Sequence, residues 1–477
     1  MTSRVLASLV WLGSASLLAQ LVSWLSTFLV IRLLSPDDYG LMALATLPMG
    51  ILMVLGDLGV GVVVIQAPTL ERPRLRALFG ACLWTSLLSA LLVFVSAPLV
   101  ASFFGDPRLL PIVRVLCLCF VFFGLYALPQ ALIARALQFE RKAKVDVLAT
   151  VVSAIVAVGM AVTGWGVWAL VASLLVMHAF RAVALQIVHP CFFWPVLAPA
   201  ELRGSARFAG WVTLDRVLWF AYTNVDVAIA GRVLGSAAVG VYSTALSLAA
   251  IPLDKVMTIV NEISLSAFSR IQDDRDRVRH GMLRALESVS LLGFPVFLGM
   301  AAVAPEMIDL LLGAKWAAAV VPLQIVCLVF PLRALGLLFA PALFGSGRPR
   351  VVVENNAVTL VCIAVALAIG VRWGVVGLCV GWVVGYVPAF CFVAWRTLGL
   401  LHIPIRQVVG TVAFSASASL VMAAVVTVAG TFLDDQWPRV GVLTSLVVIG
   451  TGVYAVLLAT FRPVVLRSFW VLSAEKQ

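Results

Sequence analysis

Apolar residues in this chain run in blocks of about twenty, separated by short polar stretches. The blocks cover residues 7–31, 40–65, 77–101, 109–133, 145–163, 166–188 and 207–231 in the first half. They continue at 237–260, 284–311, 318–344, 352–370, 374–395, 407–430 and 439–461. A helix rises about 1.5 Å per residue, so each block reaches across the ~30 Å hydrocarbon core of a bilayer. The pattern predicts an all-α polytopic membrane protein with about 14 transmembrane helices. It excludes a transmembrane barrel, whose strands alternate apolar and polar positions over ~10 residues. The run from Val5 to Ile31 carries no charge and is too long for a signal-peptide core, so it is read as the first spanning helix.

Composition narrows the picture. Apolar residues make up 63% of the 477 positions and charged residues only 12%, whereas soluble domains carry about 25% charge. Fourteen spans of about 22 residues leave about 11 residues for each connection, which excludes a folded soluble domain. The basic residues then give an orientation. With the amino terminus inside, inner segments carry 22 of the 33 Lys and Arg residues and outer segments six. This bias predicts an even number of spans with both termini in the cytoplasm. It also accounts for much of the +11 net charge without nucleic acid.

The chain repeats itself. At an offset of 200, Trp11, Arg32, Leu34, Gly40 and Ala45 match Trp211, Arg232, Leu234, Gly240 and Ala245. At an offset of 208, Trp165-Gly166-Val167 matches Trp373-Gly374-Val375. The spacing predicts two pseudo-symmetric six-helix lobes, residues 1–206 and 207–396, followed by residues 397–477 with helices 13 and 14 and a cytoplasmic tail. An even helix count per lobe puts the repeat axis along the membrane normal, with substrate held between the halves.

Charges within spans are costly and mark wet cavities or partners. Arg114, Arg216 and Arg333 are the candidate cationic lining for an anionic substrate, because guanidinium binds phosphate and carboxylate through two N–H groups. Internal ion pairing is the competing role, notably for Arg216 beside Asp215. At 100° per residue, Asp215, Trp219, Tyr222 and Asp226 fall within about 60° of one another on the seventh span. Carboxylates and aromatic faces on one stripe suit a sugar; packing and an Asp226–Arg232 pair are the alternatives. The first span, its repeat partner, carries Gln20 and Trp24 at helical spacing. Asp57, within Gly56-Asp57-Leu58-Gly59, is the candidate coupling group; a helix-capping role among those glycines competes. Pro36-Asp37-Asp38 reads as a turn and helix cap ahead of the second span rather than as a metal site. Residues 261–284 read as an amphipathic helix lying on the inner surface or as the linker between helices on which the second half rocks.

The eight cysteines have no metal or disulfide spacing, the four histidines are scattered, and no phosphate-binding Walker loop occurs. No cofactor, metal or ATP-driven step is expected. An enzyme is not expected either: membrane glycosyltransferases and polymerases carry long outer loops, and the longest here is about nine residues.

Residues 32–66 resemble the opening of Wzx-type polysaccharide flippases of the multidrug/oligosaccharidyl-lipid/polysaccharide exporter superfamily. The family's Leu-x-Pro-x-x-[Tyr/Phe]-Gly stretch corresponds to Leu34–Gly40 and its Asp-x-Gly stretch to Asp57–Gly59. Residues 131–146 are similar to a family inner loop, and the nearest branch exports acidic repeats of colanic-acid or xanthan type. The resemblance implies a two-lobed transporter moving undecaprenyl-diphosphate-linked oligosaccharide to the periplasmic leaflet by alternating access. It implies spans one and seven at the cavity, the bilayer as environment, and a polysaccharide polymerase and co-polymerase as partners. A drug antiporter of the same superfamily is the rival; it calls for an acidic cavity, and the three mid-span arginines oppose it.

Overall fold

The computed structural model describes residues 20–56, 64, 71–136, 138–191, 193, 206–271, 275–433 and 438–462. Side chains at 54–56, 139, 206–213, 254–271, 275, 277 and 278 lie outside that description. The chain is all-helical: helices and 3-10 turns with no strand among the described residues. The chain divides into two compact units, up to Gly240 and from Val241. That division follows packing, whereas the boundary expected at 206/207 was drawn from sequence period.

The first unit opens with α1 (Gln20–Leu33), α2 (Pro36–Gly56), α3 (Arg72–Phe104), α4 (Leu109–Leu116) and α5 (Leu118–Arg135). It continues with α6 (Phe139–Val162), α7 (Val167–Val188), α8 (Ala206–Leu234) and the start of α9 (Ser236–Ile271). α3 packs on α5, α5 on α7, and α6 on α7 as a hairpin, while α2 lies along α8. The second unit holds α10 (Arg275–Ala302), α11 (Ala304–Leu311), α12 (Val320–Gly336) and α13 (Phe339–Gly345). α14 (Pro349–Gly370), α15 (Gly374–Leu400), α16 (Ile405–Phe432) and α17 (Arg439–Phe461) complete it. There α12 lies between α10 and α15, α14 pairs with α15, and α16 seats on α10 and α17.

Eleven stretches of helix among the described residues are long and apolar enough to cross a membrane. The longest, residues 349–400, is interrupted by the 3-10 turn Val371–Trp373 and folds back on itself. Large apolar side chains line the outside: Leu91, Leu92, Val95 and Leu99 of α3 are all exposed. Surface of this kind is compatible with lipid, because in water contiguous apolar patches of this extent are rare. The protein is a multi-pass membrane protein.

Two local features explain the turns. Ser35 and Asp38 cap α2 reciprocally: the Ser35 N–H donates to Asp38 Oδ2 at 3.0 Å and the Asp38 N–H to Ser35 Oγ at 3.3 Å. This is the cap expected from Pro36-Asp37-Asp38. Gly166 (φ 53°, ψ −132°) and Gly374 (φ 70°, ψ −154°) precede α7 and α15 in the same glycine-restricted conformation. Their shared offset in the sequence is thus matched by a shared backbone shape.

Within 261–284, expected as one surface helix or as a linker between helices, α9 is described to Ile271 and α10 from Arg275, and residues 272–274 lie outside the described residues.

Candidate functional site

The chain order brings α12 and α15 together in the second unit, and Arg333 sits on that seam. It is the twentieth residue of a 32-residue apolar stretch, Ala314–Gly345. Its guanidinium carbon lies 4.8 Å from the centroid of the Phe330 ring and 4.8 Å from that of Trp382. Trp382 is buried on α15, and its indole N–H donates to the hydroxyl of Tyr242 on α9 at 2.5 Å. The aromatic packing continues from Trp382 to Tyr386, from Tyr386 to Phe390 and from Phe390 to Phe339. Arg333 itself is half-buried and forms no ion pair among the described residues. Aromatic faces stabilise a guanidinium but do not neutralise it. Its in-plane N–H groups therefore remain available to an oxyanion, which suits the geometry of a carboxylate or phosphate.

The other candidates lie in the first unit. Arg114 is exposed, with its guanidinium 4.9 Å from the centroid of the Phe94 ring. Arg216 is exposed and Asp215 half-buried. Trp219 is exposed and Tyr222 buried, with their rings 6.5 Å apart edge to face, so the stripe does bring this pair together. Asp226 is fully buried, and its carboxylate accepts the N–H of Val227 at 2.7 Å. Arg232 donates to the carbonyl of Phe103 and lies against that ring. Gln20 and Trp24 are half-buried on α1. Asp57 lies outside the described residues.

A second polar cluster, missed in the sequence, closes one end of the first unit. Asp37 accepts the Ser236 hydroxyl and pairs with Arg108 at 2.6 Å, and Arg108 also holds Asp106 at 2.7 Å. Burial pushes the Asp37 carboxyl up, but the hydrogen bonds from Arg108 and Ser236 and the Arg108 charge outweigh it, so it stays below the ordinary carboxylate value. The hydrogen bond from Arg108 likewise holds Asp106 down. The signal that was available was the repeat, which pairs Pro36 with Ser236. Elsewhere in this unit, Asp146 on α6 bridges Lys142 at 2.7 Å and Arg181 of α7 at 3.1 Å.

These features define a helical membrane protein with an arginine held on aromatic faces inside an apolar stretch of its second unit. Comparison with known proteins makes the assignment. The sequence model of the family described as "Polysaccharide biosynthesis protein" matches residues 29–321. The chain belongs to that family, in keeping with its resemblance to Wzx-type flippases of the exporter superfamily. It is similar to the lipopolysaccharide biosynthesis protein WzxC of Escherichia coli (strain K12), 24% identical over 73% of this chain and 72% of that one. It is also similar to the teichuronic acid biosynthesis protein TuaB of Bacillus subtilis (strain 168), 25% identical over 72% of this chain and 71% of the relative. Its fold is similar to that of a solved structure described as the lipid II flippase MurJ, inward closed conformation, with a TM-score of 0.77 at 12% identity, covering 96% of this chain and 100% of that chain.

Proposed function

We propose that this protein is a flippase, not an enzyme, for exopolysaccharide biosynthesis in the bacterial inner membrane. It moves an undecaprenyl-diphosphate-linked, acidic oligosaccharide repeat unit from the cytoplasmic to the periplasmic leaflet by alternating access. Membership of the polysaccharide biosynthesis family supports the class of cargo. The observation that carries the reading for this chain is Arg333, a guanidinium held on two aromatic faces within an apolar span. A charge at membrane depth costs several kcal/mol unless something compensates it. A diphosphate or uronate group compensates it when cargo is bound, and in turn loses part of its own desolvation cost. Within the first unit, Arg114 and Arg216 are further candidate cations, and the exposed Trp219, backed by buried Tyr222, offers aromatic surface for a sugar. The lipid tail stays in the bilayer while the head group crosses. The membrane potential contributes ~2.3 kcal/mol per charge per 100 mV, and Asp57 is the candidate for a coupling proton.

The test is export in cells lacking the chain, with lipid-linked oligosaccharide counted on each leaflet by a periplasmic sugar-modifying enzyme. The expected result is accumulation of completed, inward-facing repeat units. A normal leaflet distribution with lost resistance to cationic dyes would instead support a drug antiporter, a reading that a fold likeness to a multidrug transporter of this superfamily keeps in view (TM-score 0.63, 15% identity).

A further inference from the structure

We propose that Trp382 and Tyr242 are positioning residues for an oxyanion site at Arg333, and that together they set the plane in which the cargo's anionic group is bound. This inference rests on the anionic-cargo reading above and names the residues that give it geometry.

The argument begins with what an arginine at this depth needs. A guanidinium has two faces and a rim of five N–H donors. Ring faces satisfy the former, and only acceptors satisfy the latter. Here Phe330, one helical turn before Arg333 on α12, and Trp382, across the seam on α15, both present their rings to the guanidinium. Phe330 rides on the same helix as Arg333 and so shares its orientation. Trp382 comes from another helix and fixes that orientation relative to the rest of the unit.

Trp382 is itself fixed. Its one polar atom, the indole nitrogen, donates to Tyr242, whose side chain is fully buried on α9. Gly336, one turn beyond Arg333, leaves room for the Tyr386 hydroxyl of α15: a Cβ there would lie 2.8 Å from it. The seam is therefore built so that α12 carries the charge, α15 the platform and α9 the anchor of the platform. A flexible arginine pays conformational entropy for each geometry it adopts, whereas one held between rings keeps its rim pre-oriented. A ligand with two adjacent acceptor oxygens matches that rim, which describes both the carboxylate of an acidic sugar and the two non-bridging oxygens on one phosphorus of the carrier diphosphate.

Phenylglyoxal, which modifies guanidinium groups, tests this directly. The full-length protein in lipid nanodiscs is labelled, and modification of Arg333 is followed by peptide mass spectrometry. Labelling is repeated with inorganic pyrophosphate or with D-glucuronate as the probe. In the wild type at least one probe slows labelling of Arg333; pyrophosphate alone assigns the site to the carrier diphosphate, glucuronate alone to the saccharide. In Tyr242→Phe and Trp382→Leu that protection falls about fivefold, the loss expected when the anchor of one cation–π contact or the contact itself is removed, while the thermal midpoint stays within a few degrees of wild type. Undiminished protection in both variants overturns the positioning role. So does a loss that appears only together with a collapse of the thermal midpoint. Absence of protection by either probe in the wild type is a different result, and overturns the anionic-cargo reading itself.

Discussion

Gly40 and Gly240 occupy one crossing point, each packed against the helix start that carries the other. A Cβ added at Gly40 would lie 1.7 Å from the Ser236 carbonyl oxygen, and one at Gly240 would lie 1.6 Å from that of Pro36. The two residues are also equivalent in the 200-residue repeat, as are Pro36 and Ser236. Reciprocal contacts between repeat-related positions are what a local pseudo-twofold axis produces.

Because the obstructing atoms are backbone, no side chain can swing aside at this crossing. Gly40→Ala and Gly240→Ala are each expected to destabilise by about 3 kcal/mol, the upper end of overpacking costs. Both strain the same crossing, so the double variant should fall short of the sum of the singles. Thermal melts in detergent measure this, with Gly159→Ala, which meets nothing within 4 Å, as the control that leaves the midpoint unchanged or raises it.

The Asp37–Arg108–Asp106 cluster gives a pH dependence of defined sign. Both carboxyls are held below their ordinary value, about 3.9. Their contribution to stability is complete above that value and is lost as the pH falls through their lowered values. Arg108→Gln removes the lowering influence and flattens the acid limb of a melting-midpoint-against-pH profile. The change should be small, since the Arg108 side chain is 54% exposed and solvent screens the pair. A steeper acid limb in the variant would contradict the assignment.

Arg333 is expected to show a graded response in transport. Arg333→Gln removes the charge and should lower leaflet transfer more than tenfold, as loss of one member of a desolvated charged pair does. Arg333→Lys keeps the charge but loses the planar fork, and should fall between. Equal loss in both variants at normal expression assigns Arg333 a purely geometric role.

Two ion pairs on α6 should behave differently. Asp146 joins two cations on neighbouring helices, and its side chain is 31% exposed. Asp146→Asn leaves Lys142 and Arg181 facing each other and should lower the thermal midpoint clearly, by about 1–3 kcal/mol. Glu140 pairs with Lys144 in the open, at 49% and 50% exposure. Glu140→Gln should be neutral within the precision of the same melt.

The helical membrane fold was legible in the chain because hydrocarbon imposes it locally. Every backbone N–H and C=O must be paired within its own segment, so long apolar runs such as 77–101 and 439–461 become helices whatever they pack against. The cap ahead of α2 was legible for a similar reason, because it is made by neighbouring residues, Ser35 and Asp38, three apart. The partners of charged side chains were not legible. Asp37 reaches Arg108 and Ser236, and Arg333 reaches Trp382, over separations of 71, 199 and 49 residues. Periodicity within one helix states which residues share a face but not which neighbour that face meets. The amino-acid order determined the helices, the repeat and the positions of charge within the spans. Only the tertiary structure decided that Arg333 rests on aromatic rings while Asp37 is held by an arginine, because those choices depend on which helices pack together.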